Sequence, residues 1–138
     1  MTPEAMATIH AASFSVGPRP WSAEEIVELA EQAGGILVTT GGGFAVGRVI
    51  AEEAELLTIA VDPDMRRQGT GATLLAAYHD RAVRAGAQVS VLEVAADNAA
   101  ARALYDRAGY VLSGQRKRYY ARQGQRGADA LILTRPLP

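Results

Sequence analysis

The sequence predicts an α/β domain with a mixed sheet flanked by helices. A strand–helix–strand pattern over residues 55–94 predicts two parallel strands joined by a crossover helix. Further apolar runs near both ends of the chain, separated by glycine turns, predict additional strands beside that pair. The 138 residues, 49% of them apolar, suffice for one compact domain and are too few for two. We therefore expect a single domain over residues 1–138, with its ligand site beyond the carboxyl ends of the parallel strands.

Two helices precede the first predicted strand. Apolar residues at near-helical spacing after Pro3 predict a short helix over residues 3–14. Ser22, followed three residues later by Glu25, has the form of a capping box and predicts a second helix that ends at Gly34. The segment between the two helices is punctuated by glycine and proline, which is typical of a loop.

The strands are predicted from apolar runs between turn residues. Residues 36–40 and 44–50 indicate a hairpin around a glycine turn. Residues 55–61 are apolar on both alternating faces, as in a mid-sheet strand that is covered on both sides. We expect the basic stretch 115–126 to connect the last two strands. The later elements are a helix over 70–85, a strand over 89–94, a helix over 98–107 and strands over 110–112 and 130–134.

A glycine loop, Arg66-Arg67-Gln68-Gly69-Thr70-Gly71, follows the central strand and opens a helix. Glycine lets the backbone approach a ligand closely, and a helix start presents N–H groups and the positive dipole end to an anion. The loop therefore predicts a phosphate cradle, with an ordinary turn as the alternative. It is not a Walker loop, because Gly71 is followed by Ala72 rather than Lys, and Leu74 breaks the dinucleotide fingerprint.

Two side chains are candidates for proton transfer. Glu93 interrupts an apolar strand, and a carboxylate in a cleft can act as a general base. The alternative for Glu93 is a strand-end carboxylate facing solvent. Tyr105 lies on the helix capped by Asn98, and its phenol could protonate a leaving thiolate or pack in the core. The residues alone do not separate these alternatives.

Cysteine is absent from the chain, which excludes disulfides, thiolate metal sites and a cysteine nucleophile. Any acyl transfer is then direct or uses another nucleophile. His10 and His79 lie far apart in the chain, and we expect packing or surface histidines and no metal. No apolar stretch approaches the roughly 18 residues that cross a bilayer, and the N-terminus lacks a signal pattern. We expect a cytoplasmic protein without a membrane partner.

The formal net charge is −1, but the charges are unevenly distributed. Residues 1–65 carry two basic and ten acidic side chains, whereas residues 66–138 carry twelve basic and five acidic ones. All but one of the basic residues are arginines, which bind phosphates through planar guanidinium groups. The cluster from Arg116 to Arg126 lacks the interleaved aromatics of an RNA-binding motif, so we expect a solvated loop and no nucleic-acid partner.

Taken together, these motifs resemble the GNAT N-acetyltransferases. Asp62-Pro63 followed by Arg66-x-x-Gly69-x-Gly71 is similar to the acetyl-coenzyme-A signature of that family. The resemblance is strong over residues 55–133, and several segments match the branch that acetylates protein N-termini. These segments are Pro20-Trp21-Ser22, Glu93-Val94, Asn98 to Tyr105, Gly109-Tyr110, Arg116 to Tyr120 and Ala128 to Leu133.

The resemblance implies the GNAT fold and acetyl-coenzyme A (acetyl-CoA) as cosubstrate. It implies that Glu93 deprotonates an incoming amine through water and that Tyr105 protonates the departing thiolate. The implied acceptor-binding residues are Trp21, Tyr119 and Tyr120. The implied cofactor-binding residues are Ile59, Ala60, Val61, Arg66, Arg67, Gln68, Gly69, Thr70, Gly71, Ala72 and Asn98.

The chain departs from the family at its start. Relatives normally begin with a strand before the first helix, and residues 1–5 show none. We therefore expect one sheet edge to be missing or supplied by a partner, for instance in a homodimer. The function expected from the resemblance is acetylation of a primary amine, foremost the N-terminal α-amine of a protein such as a ribosomal protein. The alternatives are acetylation of lysine or a small-molecule amine, and a non-catalytic coenzyme-A-binding module.

Overall fold

The computed structural model describes residues 1–13, 21–122 and 125–138, without the side chains of residues 13, 118–122 and 125–127. Within these ranges the chain forms four α-helices and six strands. The helices are α1 Pro3–Ser13, α2 Ala23–Glu31, α3 Thr70–Arg84 and α4 Ala99–Arg107, with a 3₁₀ turn at Pro63–Met65. The strands are β1 Gly35–Thr40, β2 Gly43–Ile50, β3 Glu53–Val61, β4 Val89–Ala95, β5 Val111–Arg122 and β6 Gln125–Pro136.

The six strands form one mixed sheet in the order β1-β2-β3-β4-β6-β5. Only the central pair β3–β4 is parallel, and the described neighbours elsewhere are antiparallel. This arrangement confirms the predicted parallel pair and the position of β3 in mid-sheet. The described part of the chain has no strand before α1, so β1 lies at one edge of the sheet.

The second helix begins where the sequence predicts, at a capping box. Ser22 is the N-cap of α2, and its hydroxyl accepts a hydrogen bond from the Glu25 backbone N–H at 3.2 Å. The Glu25 carboxylate accepts in return from the Ser22 N–H at 3.1 Å, which completes the capping box. Two otherwise unpaired donors at the helix start are thereby satisfied.

The prediction for the last two strands was wrong. Residues 115–126 were expected to connect short strands, but β5 extends to Arg122, β6 begins at Gln125, and the two pair within this stretch, for example at Arg116–Ala130 and Arg122–Gln125. The physical reason is that β5 is an edge strand. Its backbone pairs with β6 on one side and has no strand on the other among the described residues, and charged side chains are tolerated on an edge that faces solvent.

A β-bulge at Leu57 decides the shape of the sheet. In the β2–β3 ladder, Val46 lies opposite Thr58 and Gly47 opposite Leu56, so Leu57 is an extra residue. The parallel pairing of β3 with β4 ends at the same point, at Leu56–Leu92. A bulge increases the local twist of a strand and interrupts its ladder. The two central strands therefore part over their carboxyl-terminal residues.

The sheet separates two hydrophobic clusters. Consecutive side chains of β2 point to opposite faces; Ala45 belongs to the cluster formed with α3 and α4, and Phe44 and Val46 to the cluster formed with α1 and α2. The fully buried Tyr78 of α3 anchors the first cluster, and the fully buried Ile26 of α2 anchors the second. Each pair of helices thus covers one face.

None of the helices in the described ranges is both long enough and apolar enough to cross a membrane.

Replacing Gly47 with alanine is expected to destabilise the fold by about 1–3 kcal/mol through overpacking. A Cβ at Gly47 would lie 2.5 Å from the Tyr78 ring and hydroxyl and 2.6 Å from the Glu55 carbonyl oxygen. Urea unfolding measures the change. Gly41→Ala in the β1–β2 turn is the matched control, because nothing lies within 4 Å of its added Cβ. Equal losses in the two variants would contradict the steric explanation.

Candidate active site

The splayed ends of β3 and β4 open a cleft of about 890 Å³. Its walls include Ile59, Ala60 and Val61 of β3 and Glu93 of β4, together with parts of α3 and α4. Beyond the Leu56–Leu92 pair, the backbones of β3 and β4 are no longer paired with each other. The cleft lies at the carboxyl ends of the parallel strands, where the sequence predicts the ligand site.

The glycine loop forms one side of this cleft. Arg67 and Gly69 have φ of 64° and 78°, which turns the chain sharply into α3. Gly69 is the N-cap of α3, and it offers no side-chain cap to the first N–H groups of the helix. These donors and the positive end of the helix dipole can bind an anion. The loop thus has free donors at the point where the sequence predicts a phosphate cradle.

Gly71 lets the two helices of the cleft approach each other. A Cβ at Gly71 would lie 3.1 Å from Leu104 of α4. Arg66 donates from Nε to the Val61 carbonyl at 3.3 Å and so fixes the loop against the end of β3. Arg67, Thr70 and the exposed Ala72 also line the cleft.

Asn98 lies opposite the loop, at the start of α4. Its side-chain oxygen accepts from the Ala101 N–H at 3.2 Å, which makes it the helix cap that the sequence predicts. Because the cap uses the oxygen, Nδ2 is the part of this amide that can donate to a ligand.

Glu93 projects into the cleft, with 31% of its side chain exposed. Its carboxylate lies 3.5 Å from Nε of Arg116, which reaches it from β5. The register explains this contact, because Glu93 pairs with Ile132 and Arg116 with Ala130, two positions of β6 on the same face. Glu93 thus combines the two alternatives, since it is accessible to water and also belongs to the cleft.

Tyr105 is only 6% exposed and still lines the cleft. The edge of its ring meets Tyr110, with centroids 5.7 Å apart and planes at 63°. The Tyr110 hydroxyl is held by hydrogen bonds of 2.7 Å to Ser90 Oγ and 2.7 Å to His79 Nε2. Tyr105 is therefore both a packed aromatic residue and a cleft residue.

The face of the sheet covered by α1 and α2 contributes His10 and Trp21 to the cleft. Their rings stack with centroids 4.9 Å apart and an interplanar angle of 17°, and the backbone N–H of Trp21 donates to His10 Nδ1 at 3.1 Å. The structure thus places Trp21 at the site, as predicted for an acceptor-binding residue. It assigns His10 to the same wall, which the sequence did not predict.

Not every predicted site residue is brought together. Gln68 is exposed and does not line the cleft. Tyr119 and Tyr120 belong to β5 by their backbone, and their side chains lie outside the described part of the structure. The cleft also contains residues that belong to no motif in the sequence. They include His10, Thr58, Met65 and Arg107.

Burial controls the protonation of the aromatic titratable groups. It lowers the pKa of His10 to about 4, although Glu25 opposes the shift. Burial also lowers the pKa of His79 to about 4, with the Arg135 charge acting in the same direction. It raises the pKa of Tyr110, against the effects of its Ser90 hydrogen bond and of Arg135. Both histidine rings are therefore neutral at pH 7.

No group of three or more His, Cys, Asp or Glu side chains that could hold a metal ion occurs among the described residues. The donors that the cleft offers are backbone groups, arginines, one carboxylate and one phenol. This set suits an anionic organic ligand with amide groups.

Comparison with known proteins is consistent with this geometry. Residues 5–110 match the acetyltransferase (GNAT) family. The chain belongs to this family. The mixed, mostly antiparallel sheet of six strands with its central parallel pair is therefore the GNAT fold that the resemblance predicts.

Two curated relatives are N-acetyltransferases by name, and the name of the second specifies the α position. The chain is 43% identical over 94 residues to the [ribosomal protein bS18]-alanine N-acetyltransferase of Escherichia coli K12, a match that covers 68% of this chain and 63% of that relative. It is 42% identical over 104 residues to the N-alpha-acetyltransferase RimI of Mycobacterium tuberculosis, covering 75% of this chain and 62% of the relative. Both matches span slightly less than two thirds of the relatives' length.

A solved GNAT structure extends the similarity over almost the whole chain. The crystal structure of the ribosomal-protein-S18-alanine N-acetyltransferase from Escherichia coli superposes with a TM-score of 0.81 at 33% identity. The superposition covers 98% of this chain and 87% of that protein.

The free energy of unfolding is expected to fall as the pH drops from 7 to 5, in part through His79. The unfolded chain binds a proton near the ordinary pKa of 6.5, whereas the folded state does so only near 4. Stability is therefore lost as the pH falls through this window, by about 2 kcal/mol from His79 between pH 7 and 5.

Urea unfolding of wild type and His79→Gln at both pH values measures this contribution. Glutamine offers Tyr110 a polar partner but does not titrate. The free energy of unfolding of the variant should therefore depend less steeply on pH. An identical pH dependence of the two proteins would show that His79 is not held neutral by the fold.

Proposed function

We propose that this chain is an acetyl-CoA-dependent N-acetyltransferase that acts on the N-terminal α-amine of a protein. The observation that carries the proposal is that one cleft contains the anion-binding loop, a solvated carboxylate and a buried phenol. The E. coli relative acetylates an alanine of ribosomal protein bS18 by its name, so a ribosomal-protein N-terminus with a small first residue is the acceptor we propose. Such an acceptor implies a cytoplasmic location.

The cleft fits the parts of acetyl-CoA in sequence. The loop from Arg66 to Ala72 would hold the diphosphate at the start of α3, where N–H groups and arginines face the ligand. The β3 backbone over residues 59–61 would bind the amides of the pantetheine arm, as an added strand would. Asn98 would donate to the same arm from α4.

Acetyl-CoA supplies the activated thioester, and the residues of the cleft would manage charge and protons. The acceptor nitrogen forms a bond to the acetyl carbon, and the bond from that carbon to sulfur breaks. Glu93 takes a proton from the amine through water, and Tyr105 gives a proton to the leaving thiolate. Backbone N–H groups of Ile59 to Val61 would stabilise the negative oxygen that develops on the carbonyl.

Direct transfer is the mechanism that suits this chain. The sequence contains no cysteine that could accept the acetyl group first. Glu93 is 31% exposed, which allows water to reach its carboxylate, and Arg116 at 3.5 Å orients it. Tyr105 is largely buried beside Tyr110, which keeps its phenol in one position near the cleft.

Acetyl-CoA is expected to raise the melting temperature through the glycine loop. At a concentration of 100 times Kd, a ligand stabilises the folded state by about 2.7 kcal/mol, which corresponds to a shift of about 8 °C for a chain of this size. Gly71→Glu should abolish the shift, because it adds bulk and negative charge to the phosphate cradle. Gly71→Ala is the control that tests the added Cβ alone, and a shift retained in Gly71→Glu would move the site elsewhere.

The release of free coenzyme A from acetyl-CoA tests the reaction directly. We expect turnover with Ala- and Ser-starting peptides, but not with N-blocked peptides that contain Lys or with polyamines. Glu93→Gln and Tyr105→Phe should each lower kcat by about 100-fold, because each removes one proton transfer.

The possible outcomes separate the proposal from its alternatives. Turnover confined to Lys peptides or polyamines would support the acetyltransferase activity but refute the proposed acceptor. Binding of acetyl-CoA without turnover on any amine would identify a coenzyme-A-binding module. Unchanged turnover in Glu93→Gln and Tyr105→Phe would refute the assigned roles.

A further inference from the structure

His10 is a buried polar residue at the wall of the cleft that the proposed reaction does not use. It lies near the end of α1 and is only 4% exposed. The described contacts of its ring include the stack on Trp21 at 4.9 Å, the hydrogen bond from the Trp21 backbone N–H at 3.1 Å, and a tilted contact with Phe44 at 6.4 Å. The stack and the hydrogen bond are both made to Trp21.

Trp21 is the more accessible member of this pair. It is partly exposed, whereas His10 is buried. Both residues line the cleft, and Trp21 is the one more open to solvent. The two contacts hold different parts of the tryptophan, because the stack fixes the ring and the hydrogen bond fixes the backbone just before the capping residue Ser22.

The pair lies on the acceptor side of the cleft. The glycine loop opens α3, whose buried side chains pack on one face of the sheet, whereas Trp21 packs with the cluster of α1 and α2 on the other face. Acetyl-CoA held at the start of α3 would leave the second face of the sheet free for the acceptor. Trp21 would then meet the incoming peptide rather than acetyl-CoA.

We infer that His10 is a positioning residue for the acceptor, which acts by fixing the Trp21 ring and backbone against the cleft. The inference rests on the proposed function and deepens it, because it names what shapes the acceptor side. The hydrogen bond requires Nδ1 to be an acceptor, so the proton of the neutral ring is on Nε2. The low pKa of His10, about 4, keeps the ring in this neutral form at pH 7.

Two substitutions separate the two contacts. His10→Phe retains an aromatic ring for the stack but leaves the Trp21 N–H without its acceptor. His10→Asn loses the ring but places an amide oxygen close to the position of Nδ1. We expect His10→Phe to raise the KM for an Ala-starting peptide about tenfold, since a part-buried donor loses its partner. His10→Asn should recover part of that loss.

The matched control is Met6→Ala. Met6 is 2% exposed, lies on the same helix and belongs to the same hydrophobic cluster, but it does not line the cleft. This variant should lose stability through its cavity without changing the peptide KM. In all three variants the KM for acetyl-CoA and the melting shift caused by acetyl-CoA should equal those of wild type.

The same assay distinguishes failure of the inference from failure of the proposed function. Wild-type turnover of free-amine peptides tests the proposed function. With that turnover present, an unchanged peptide KM in His10→Phe would overturn the inference. An equal rise of the peptide KM in Met6→Ala, or an equal rise of the acetyl-CoA KM in His10→Phe, would also overturn it, since either reveals a merely structural role.

Discussion

The separation of β3 from β4 after Leu56–Leu92 is the constraint on which the rest of the molecule depends. Backbone N–H and C=O groups in a sheet normally pair, and leaving them unpaired in a buried place is costly. Here the β3–β4 pairing ends beside the bulge at Leu57, where the two strands open onto the cleft and water or a ligand can satisfy the free groups. The binding surface is therefore a gap in the sheet, and each wall is a strand held rigidly by its outer neighbour.

The helices stabilise the two walls from opposite faces. α3 and α4 enclose the cleft on one face, and the buried Tyr105–Tyr110 contact is tied to β4 through Ser90. α1 and α2 cover the other face through a separate cluster around Ile26. Because the clusters are separate, a substitution among α1 and α2 need not repack the helix that begins at the glycine loop.

Much of the fold could be predicted because its signals are local. The capping box at Ser22, the glycine loop before α3 and the Asn98 cap each depend on a few neighbouring residues, and each occurs where the sequence places it. The extent of β5 could not be predicted in this way. Its pairing depends on the register with β6, and the basic composition of residues 115–126 is equally compatible with a loop and with a solvated edge strand.

The site shows the same division between local and long-range information. Glu93 is conspicuous in the sequence because it interrupts an apolar strand, whereas its contact with Arg116 depends on two sheet ladders. His10 carries no motif, and its position follows from tertiary packing between α1 and the segment that begins at Trp21. The bulge at Leu57 has no sequence motif either, since the residue is an ordinary apolar member of β3.

The cleft is lined by residues from both faces of the sheet, which has a kinetic consequence for the proposed reaction. Glycine-loop and α4 residues line it from one face, and Trp21 with His10 from the other. If the two substrates enter from opposite sides, the first product does not have to leave before the second substrate binds. A chain without cysteine also has no thiol on which to store an acyl group between two half-reactions. The proposed reaction would therefore proceed through a ternary complex, in which initial-rate lines for the two substrates intersect instead of running parallel as in a ping-pong scheme.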